Sequence, residues 1–197
     1  VPSLFTFNIP NSPFLELSGV AVSAALVRLP QWGFEQQGPL LFTHWGVSGP
    51  AVLKLSAWAA REMHDADYHT QVIINWIPDL TEIKVQDIIL ENKRQLAAKQ
   101  MGTDSLFSLP KQLWKKLLNL SGIPEDLRWS TLSNKQQQDL VRQLCATTLS
   151  TKGKTTYKQE FVTCGGIALE EVNFKTMESK LCPGLYFAGE VLNIDGI

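Results

Sequence analysis

Cysteine, histidine and surplus charge are all scarce in this 197-residue chain, and each scarcity closes off a class of function. The three cysteines, Cys145, Cys164 and Cys182, are odd in number, far apart and without a CxxC pair. That argues against a disulfide framework or a zinc site, and for reduced thiols in the cytoplasm. Two of the three histidines, His64 and His69, are five apart, the wrong spacing for a metal pair on one helix face, so no metal is expected. Lys and Arg total 18 against 19 Asp and Glu, a formal net charge of −1, so no global field draws the chain to nucleic acid or to an anionic membrane. No apolar run is long enough to span a bilayer; the richest, Val20 to Leu29, is broken by Ser23 and Arg28. Val1-Pro2-Ser3-Leu4-Phe5 lacks a basic segment leading into a long apolar one, so no signal peptide is expected. With no initiator Met and a close on Asp195-Gly196-Ile197, just after a strand-like run, the chain is expected to be an internal piece of a longer protein.

What is present reads as strands, then helices, then strands. Phe14 to Ser18 alternates, Gly19 interrupts as a bulge or barrel corner, and alternation resumes from Val20 toward Val27. Gly38-Pro39 opens Leu40 to Thr43, and Gln71 to Ile77 is a further strand closed by Pro78. Between them Ser48 is placed as the N-cap of a helix with Pro50 in its first turn and Val52, Leu55, Trp58 and Ala59 on one face. From residue 79 the pattern turns helical. Asp79 with Glu82 has capping-box spacing ahead of Ile83, Ile88, Ile89, Leu90 and Leu96. Ser108-Leu109-Pro110 starts a helix striped by Leu113, Trp114, Leu117 and Leu118 and stopped near Gly122. Ser133 and Gln136 form another box before Leu140, Val141 and Leu144. Thr147 to Thr151 and Thr155 to Thr163, joined by Lys152-Gly153-Lys154, read as a hairpin.

Three segments carry possible chemistry. In Phe42-Thr43-His44-Trp45-Gly46-Val47-Ser48-Gly49-Pro50, a strand runs into a capped helix; His44 can serve as acid or base near neutral pH, or the segment is only a tight strand-to-helix turn. In Val162-Thr163-Cys164-Gly165-Gly166-Ile167 the glycine pair permits a close backbone approach to a flat ring, and a plain turn explains it equally well. No basic neighbour in sequence would activate Cys164. Pro183 to Gly196 reads as a turn feeding a buried strand that ends in Gly189-Glu190. A carboxylate there suits sugar or ribityl hydroxyls, unless the segment is only a buried strand.

Taken in order, Phe42 to Pro50, Thr163 to Gly166, Lys175 to Lys180, Pro183 to Glu190 and Ile194 to Gly196 resemble the BaiN/YhiN-type bacterial flavoproteins, NAD(P)/FAD-dependent oxidoreductases. The resemblance spans nearly the whole chain. It implies an α+β fold: a split β-barrel insert domain over 1–78 and 147–163, a helical subdomain over 79–146, and over 164–197 part of a Rossmann-like FAD-binding domain. It places Thr163, Gly165, Gly166, Gly189, Glu190, Asp195 and Gly196 at the FAD of the longer protein; His44, on its own chemistry, is the candidate catalytic residue. The implied partners are the remainder of that FAD-binding domain, NAD(P)H and a small-molecule substrate. Cys164 and Asn193 depart from the Ala and Asp common in that family. No Gly-x-Gly-x-x-Gly phosphate cradle occurs, so the chain by itself is expected neither to hold FAD nor to be active. The competing expectation is a non-catalytic barrel-and-helix module that binds a ligand or protein. The lysine groups Lys111, Lys115, Lys116 and Lys152, Lys154, Lys158 are too small to indicate nucleic acid.

Overall fold

The computed structural model of the chain describes residues 1–153 and 162–195. In chain order it contains β1 (Pro2–Ser3), β2 (Phe7–Asn8), β3 (Ala21–Leu29), β4 (Phe34–Phe42), β5 (Gly46–Ser48), α1 (Pro50–Trp58), α2 (Ala60–Asp65) and β6 (Gln71–Asn75). There follow α3 (Glu82–Gln95), α4 (Lys111–Leu120), α5 (Asn134–Ala146), β7 (Thr147–Ser150), β8 (Val162–Thr163), β9 (Val172–Asn173) and β10 (Glu178–Ser179).

Six strands form one antiparallel sheet in the order β2-β5-β4-β3-β6-β7. The sheet curls into a half-barrel until its two edges meet. The Lys152 amide, just past β7, donates to the Asn8 carbonyl of β2 at 3.0 Å, and the Asn8 side-chain amide donates back to the Lys152 carbonyl at 3.2 Å. A bulge between Val22 and Ala25, where two residues of β3 face the single Pro39 of β4, supplies curvature. The core inside the curl is aromatic: Phe14 stacks on Phe42 at 5.9 Å, and both rings lie against Trp76. The Trp76 indole N–H is satisfied by the Thr147 hydroxyl at 2.8 Å.

The helices follow from their buried faces. On α4, Leu113, Trp114, Leu117 and Leu118 are all buried, and Gly122 at φ 67° turns the chain out of the helix as its sequence position predicts. On α5 the Ser133–Gln136 capping box forms, and Leu140, Val141 and Leu144 face inward.

Several expectations are corrected. Phe14 to Ser18 is not a strand: residues Leu15–Leu17 make a 3-10 turn, because the buried pair Phe14 and Leu17 repeats at three residues rather than two. The bulge sits at Val22 to Ala25, not at Gly19. Helix α1 is capped by Gly49 at φ 93°, a backbone angle glycine supports, while Ser48 stays in β5 and accepts a hydrogen bond from the Thr6 hydroxyl at 3.0 Å. Trp58, at the end of α1, is 54% exposed rather than on the buried face. Thr81, not Asp79, caps α3, its hydroxyl accepting from the Lys84 amide at 3.3 Å. The inward face of α3 is Val85 and Ile89, which leaves Ile83 72% exposed.

The first half of the expected hairpin is β7, paired with β6; Thr155 to Phe161, with Lys154 and Lys158, lies outside the described residues. β8 pairs instead with β1, Pro2 opposite Thr163. The buried strand expected after Pro183 is absent. That segment folds back on β9 and β10 through Phe187 N–H to Met177 carbonyl at 2.9 Å and Gly184 N–H to Glu178 carboxylate at 2.7 Å. Tyr186 is left 61% exposed. Among the described residues no helix is long and apolar enough to cross a membrane.

Candidate functional site

The glycine pair of the 163–166 segment is built onto the chain's own start. Thr163 pairs with Pro2, and the Cys164 amide donates to the Val1 carbonyl at 2.7 Å while the Val1 backbone nitrogen donates to the Cys164 carbonyl at 2.9 Å. Cys164 is buried by this arrangement. Gly166 lies so close to the next segment that an added Cβ would meet the Val191 carbonyl oxygen at 2.4 Å. The contact is held by Ile167 N–H to Val191 carbonyl at 2.8 Å and Asn193 N–H to Ile167 carbonyl at 3.0 Å, a parallel bridge between Ile167 and Leu192.

That bridge delivers Asp195 to Gly165. The Gly165 amide donates to Asp195 Oδ1 at 3.0 Å. Arg61 on α2 closes the cluster from the other side, donating to Asp195 Oδ2 at 2.8 Å and Oδ1 at 3.4 Å, and to Asn193 Oδ1 at 3.2 Å. The Arg61 hydrogen bond and the Gly165 amide hold the Asp195 carboxyl below its usual range, and Asp195 in turn raises the Arg61 guanidinium.

Of the predicted site residues, the structure therefore brings together Gly165, Gly166 and Asp195, with Thr163 on the adjoining strand. Gly189, at φ 79°, begins a short 3-10 turn over Gly189–Val191, and Glu190 on that turn is exposed and enters none of the side-chain hydrogen bonds among the described residues. The expected placement of Gly189 and Glu190 at the end of a strand is thus corrected. Gly196 lies outside the described residues. His44 is exposed in the loop between β4 and β5, its ring 5.8 Å from that of Trp45 at 54°. The loop is tied to β2 by Ile9 N–H to Trp45 carbonyl at 2.9 Å. Its neighbour Gly46 is indispensable, since a Cβ there would stand 1.8 Å from the Phe7 carbonyl oxygen.

Sequence reasoning missed Arg61. Its partners lie more than 130 positions away, and nothing local distinguishes it from any other surface arginine on a short helix.

The residues fit one side of a dinucleotide or flavin site. Gly165 and Gly189 both have positive φ and open space where a Cβ would sit, so a flat group can approach their backbone, and the Asp195 carboxylate lies beside Gly165. A phosphate cradle is not among the described residues.

Over residues 1–162 the chain matches the family described as HI0933-like protein barrel and H2TH domain. It is 33% identical over 191 residues to the ribosomal RNA dihydrouridine synthase of Escherichia coli (strain K12), covering 94% of this chain and 44% of that protein. It is 31% identical to the enzyme of the same name from Haemophilus influenzae, over 98% of this chain and 45% of that protein. Against the 3-dehydro-bile acid delta(4,6)-reductase of Clostridium scindens it is 29% identical, over 100% of this chain and 48% of that protein. The chain thus spans a little under half the length of these relatives. It belongs to the HI0933-like barrel and H2TH domain family.

Proposed function

We propose that the chain is one segment of a longer flavin-dependent reductase of the BaiN/YhiN type, forming the substrate side of its FAD site and incomplete as a catalyst alone. One observation carries this: beyond the family match over 1–162, the similarity to an enzyme named as a reductase runs over the whole chain, Gly165 and Asp195 included. In this reading 1–78 with 147–163 is the barrel insert, 79–146 its helical subdomain, and 164–197 the re-entry into a Rossmann-like FAD-binding domain. The remainder of that domain is the main partner, and it would cover apolar surface that the 164–195 stretch leaves open, such as Leu181 and Ile194.

FAD, when bound, supplies the hydride chemistry, with NAD(P)H as reductant. The chain's own residues do the rest. Gly165 and Gly189 offer backbone that a ring or ribityl chain can approach, Gly166 holds that turn against Val191, and Thr163 and Glu190 stand at its margin. Asp195 accepts hydroxyl hydrogen bonds, joined by Gly196. His44 is the candidate proton donor on the substrate side. The location is the cytoplasm. The experiment is purification of the longer protein with FAD and an assay of NADH and NADPH consumption. Retained flavin with turnover supports the reading; no flavin and no turnover with any acceptor removes it and leaves a non-catalytic ligand- or protein-binding module.

The substrate has two readings. A near-neutral chain favours a small molecule. Two of the three relatives are named for ribosomal RNA, which favours a uridine base in RNA. In the described residues Lys115 pairs with Glu125 and Lys116 with Glu16, so that lysine group offers RNA little free charge. Measuring dihydrouridine in ribosomal RNA from cells lacking the gene decides between them: loss of the base supports RNA, and an unchanged content supports the small molecule.

A further inference from the structure

A cavity of about 290 Å³ opens where β6 leaves β3, at the joint between the curled sheet and the helices. Two local irregularities meet there. Ser23 and Ala24, in the β3 bulge, face the cavity and are paired by neither β4 nor β6. Across from them Phe107 and Ser108 are two successive non-glycine residues at φ 57° and 56°. A bulky residue in the left-handed region is strained, and such strain persists where the surrounding structure insists on it, often at ligand sites. Phe107, half-buried, is the aromatic wall that a ligand can reach, with Leu109 and Trp76 packed beneath at 5% and 1% exposure.

The polar side of this cavity has one sign. Asp79 is the charged residue among those lining it, and its carboxylate accepts from the Gln37 amide at 3.3 Å. Among the described residues no cationic side chain lines the cavity. An anion would be repelled here, whereas an organic cation with a flat apolar body gains the Phe107 ring, the Asp79 charge and the bulged backbone edge together.

We infer that this cavity is a binding site for small aromatic amines, formed by Ser23, Ala24, Trp76, Asp79, Phe107 and Leu109. It uses none of the Gly165–Asp195 cluster and does not depend on flavin.

The test is calorimetric titration of the 197-residue chain with three probes of one shape: 2-phenylethylamine, 2-phenylethanol and phenylacetate. The amine is expected to bind about fivefold more tightly than the alcohol, the scale of one exposed charge pair, and phenylacetate more weakly still. Asp79→Asn should bring amine and alcohol to equal affinity. Ala24→Phe, which fills the cavity, should abolish binding of both, and Phe107→Ala should weaken both about tenfold while preserving their ratio. Circular dichroism verifies that each variant folds. Binding of phenylacetate as tight as that of the amine, an amine affinity unchanged in both the Ala24 and Phe107 variants, or no binding of any probe to the parent chain would each overturn the inference.

Discussion

Arg61 and Asp195 are 134 positions apart and meet in a two-pronged contact, with Nη1 to Oδ2 at 2.8 Å and Nη2 to Oδ1 at 3.4 Å. The pair joins the short helix α2 to the last described residue of the chain, and the Gly165 amide shares the same carboxylate. Both side chains are partly exposed, so the net contribution is at most about 1 kcal/mol. It therefore acts as a local fastener rather than a support of the whole fold.

The fastener has a predictable pH dependence. The folded Asp195 carboxyl titrates below its ordinary range, so its contribution is present above that range and is lost as pH falls through the folded value. Hydrogen exchange in residues 162–195 should be steady from pH 8 to pH 5, after correction for intrinsic rates, and rise in strongly acidic buffer. Asp195→Asn should show the raised exchange already at neutral pH. An unaltered pattern in that variant would show that the carboxylate does not hold the segment.

Gly46→Ala should be among the most damaging single changes. Its new Cβ would stand 1.8 Å from a backbone oxygen of β2, which no side-chain rotation relieves. The strands must separate, at a cost of about 4 kcal/mol or more by urea denaturation. Gly122→Ala, where space is open and only φ 67° is strained, should cost about 1 kcal/mol. Similar losses for the two would contradict the close β2–β5 packing.

In the helical part, Leu117→Ala should cost about 2–5 kcal/mol, since the side chain is fully buried. Ser133→Ala removes the hydroxyl that accepts from the Gln136 amide, and should cost about 1 kcal/mol. Thermal unfolding of both variants ranks them; the reverse order would mean α5 depends on its cap more than α4 does on its core face.

The thiols should react in order of exposure. Cys182 is exposed and alkylates first. Burial, aided by Glu82, pushes the half-buried Cys145 thiol up to about 11, so roughly one molecule in a thousand carries its thiolate at pH 8. Mass spectrometry after brief iodoacetamide treatment should find Cys182 modified and Cys145 intact. Equal labelling would place Cys145 in a more open setting.

His44→Ala should leave stability within about 0.5 kcal/mol, because the side chain is exposed in a loop. In the longer protein it should lower turnover more than FAD content. Equal loss of both, or of neither, would remove His44 from the active site.

Where packing follows period, the sequence was legible. The α4 stripe and the Ser133 box were readable because local spacing alone determines which side faces the core. Asp79 and Thr81 lie two apart and both are good caps, and only the turn geometry after Pro78 decides for Thr81. Phe14 and Leu17 were misread as alternation because five residues cannot separate a period of two from one of three. The segment after Pro183 has strand-like composition, yet residues 184–187 bond back to 177–179 and residues 191–195 to 165–167, a choice no local signal encodes. The same applies to the site: the glycine pair and Asp195 were visible as motifs, while Arg61 emerged only from long-range geometry.

The central claim, that this chain is part of a flavin-dependent reductase, is tested most directly by the visible spectrum of the longer protein after FAD loading and desalting. The spectrum is recorded before and after anaerobic NADH or NADPH. Retained flavin absorbance that bleaches on reductant is the expected result, with the 197-residue chain alone coming through colourless. A longer protein that emerges without flavin, or whose flavin neither nicotinamide reduces, would contradict it.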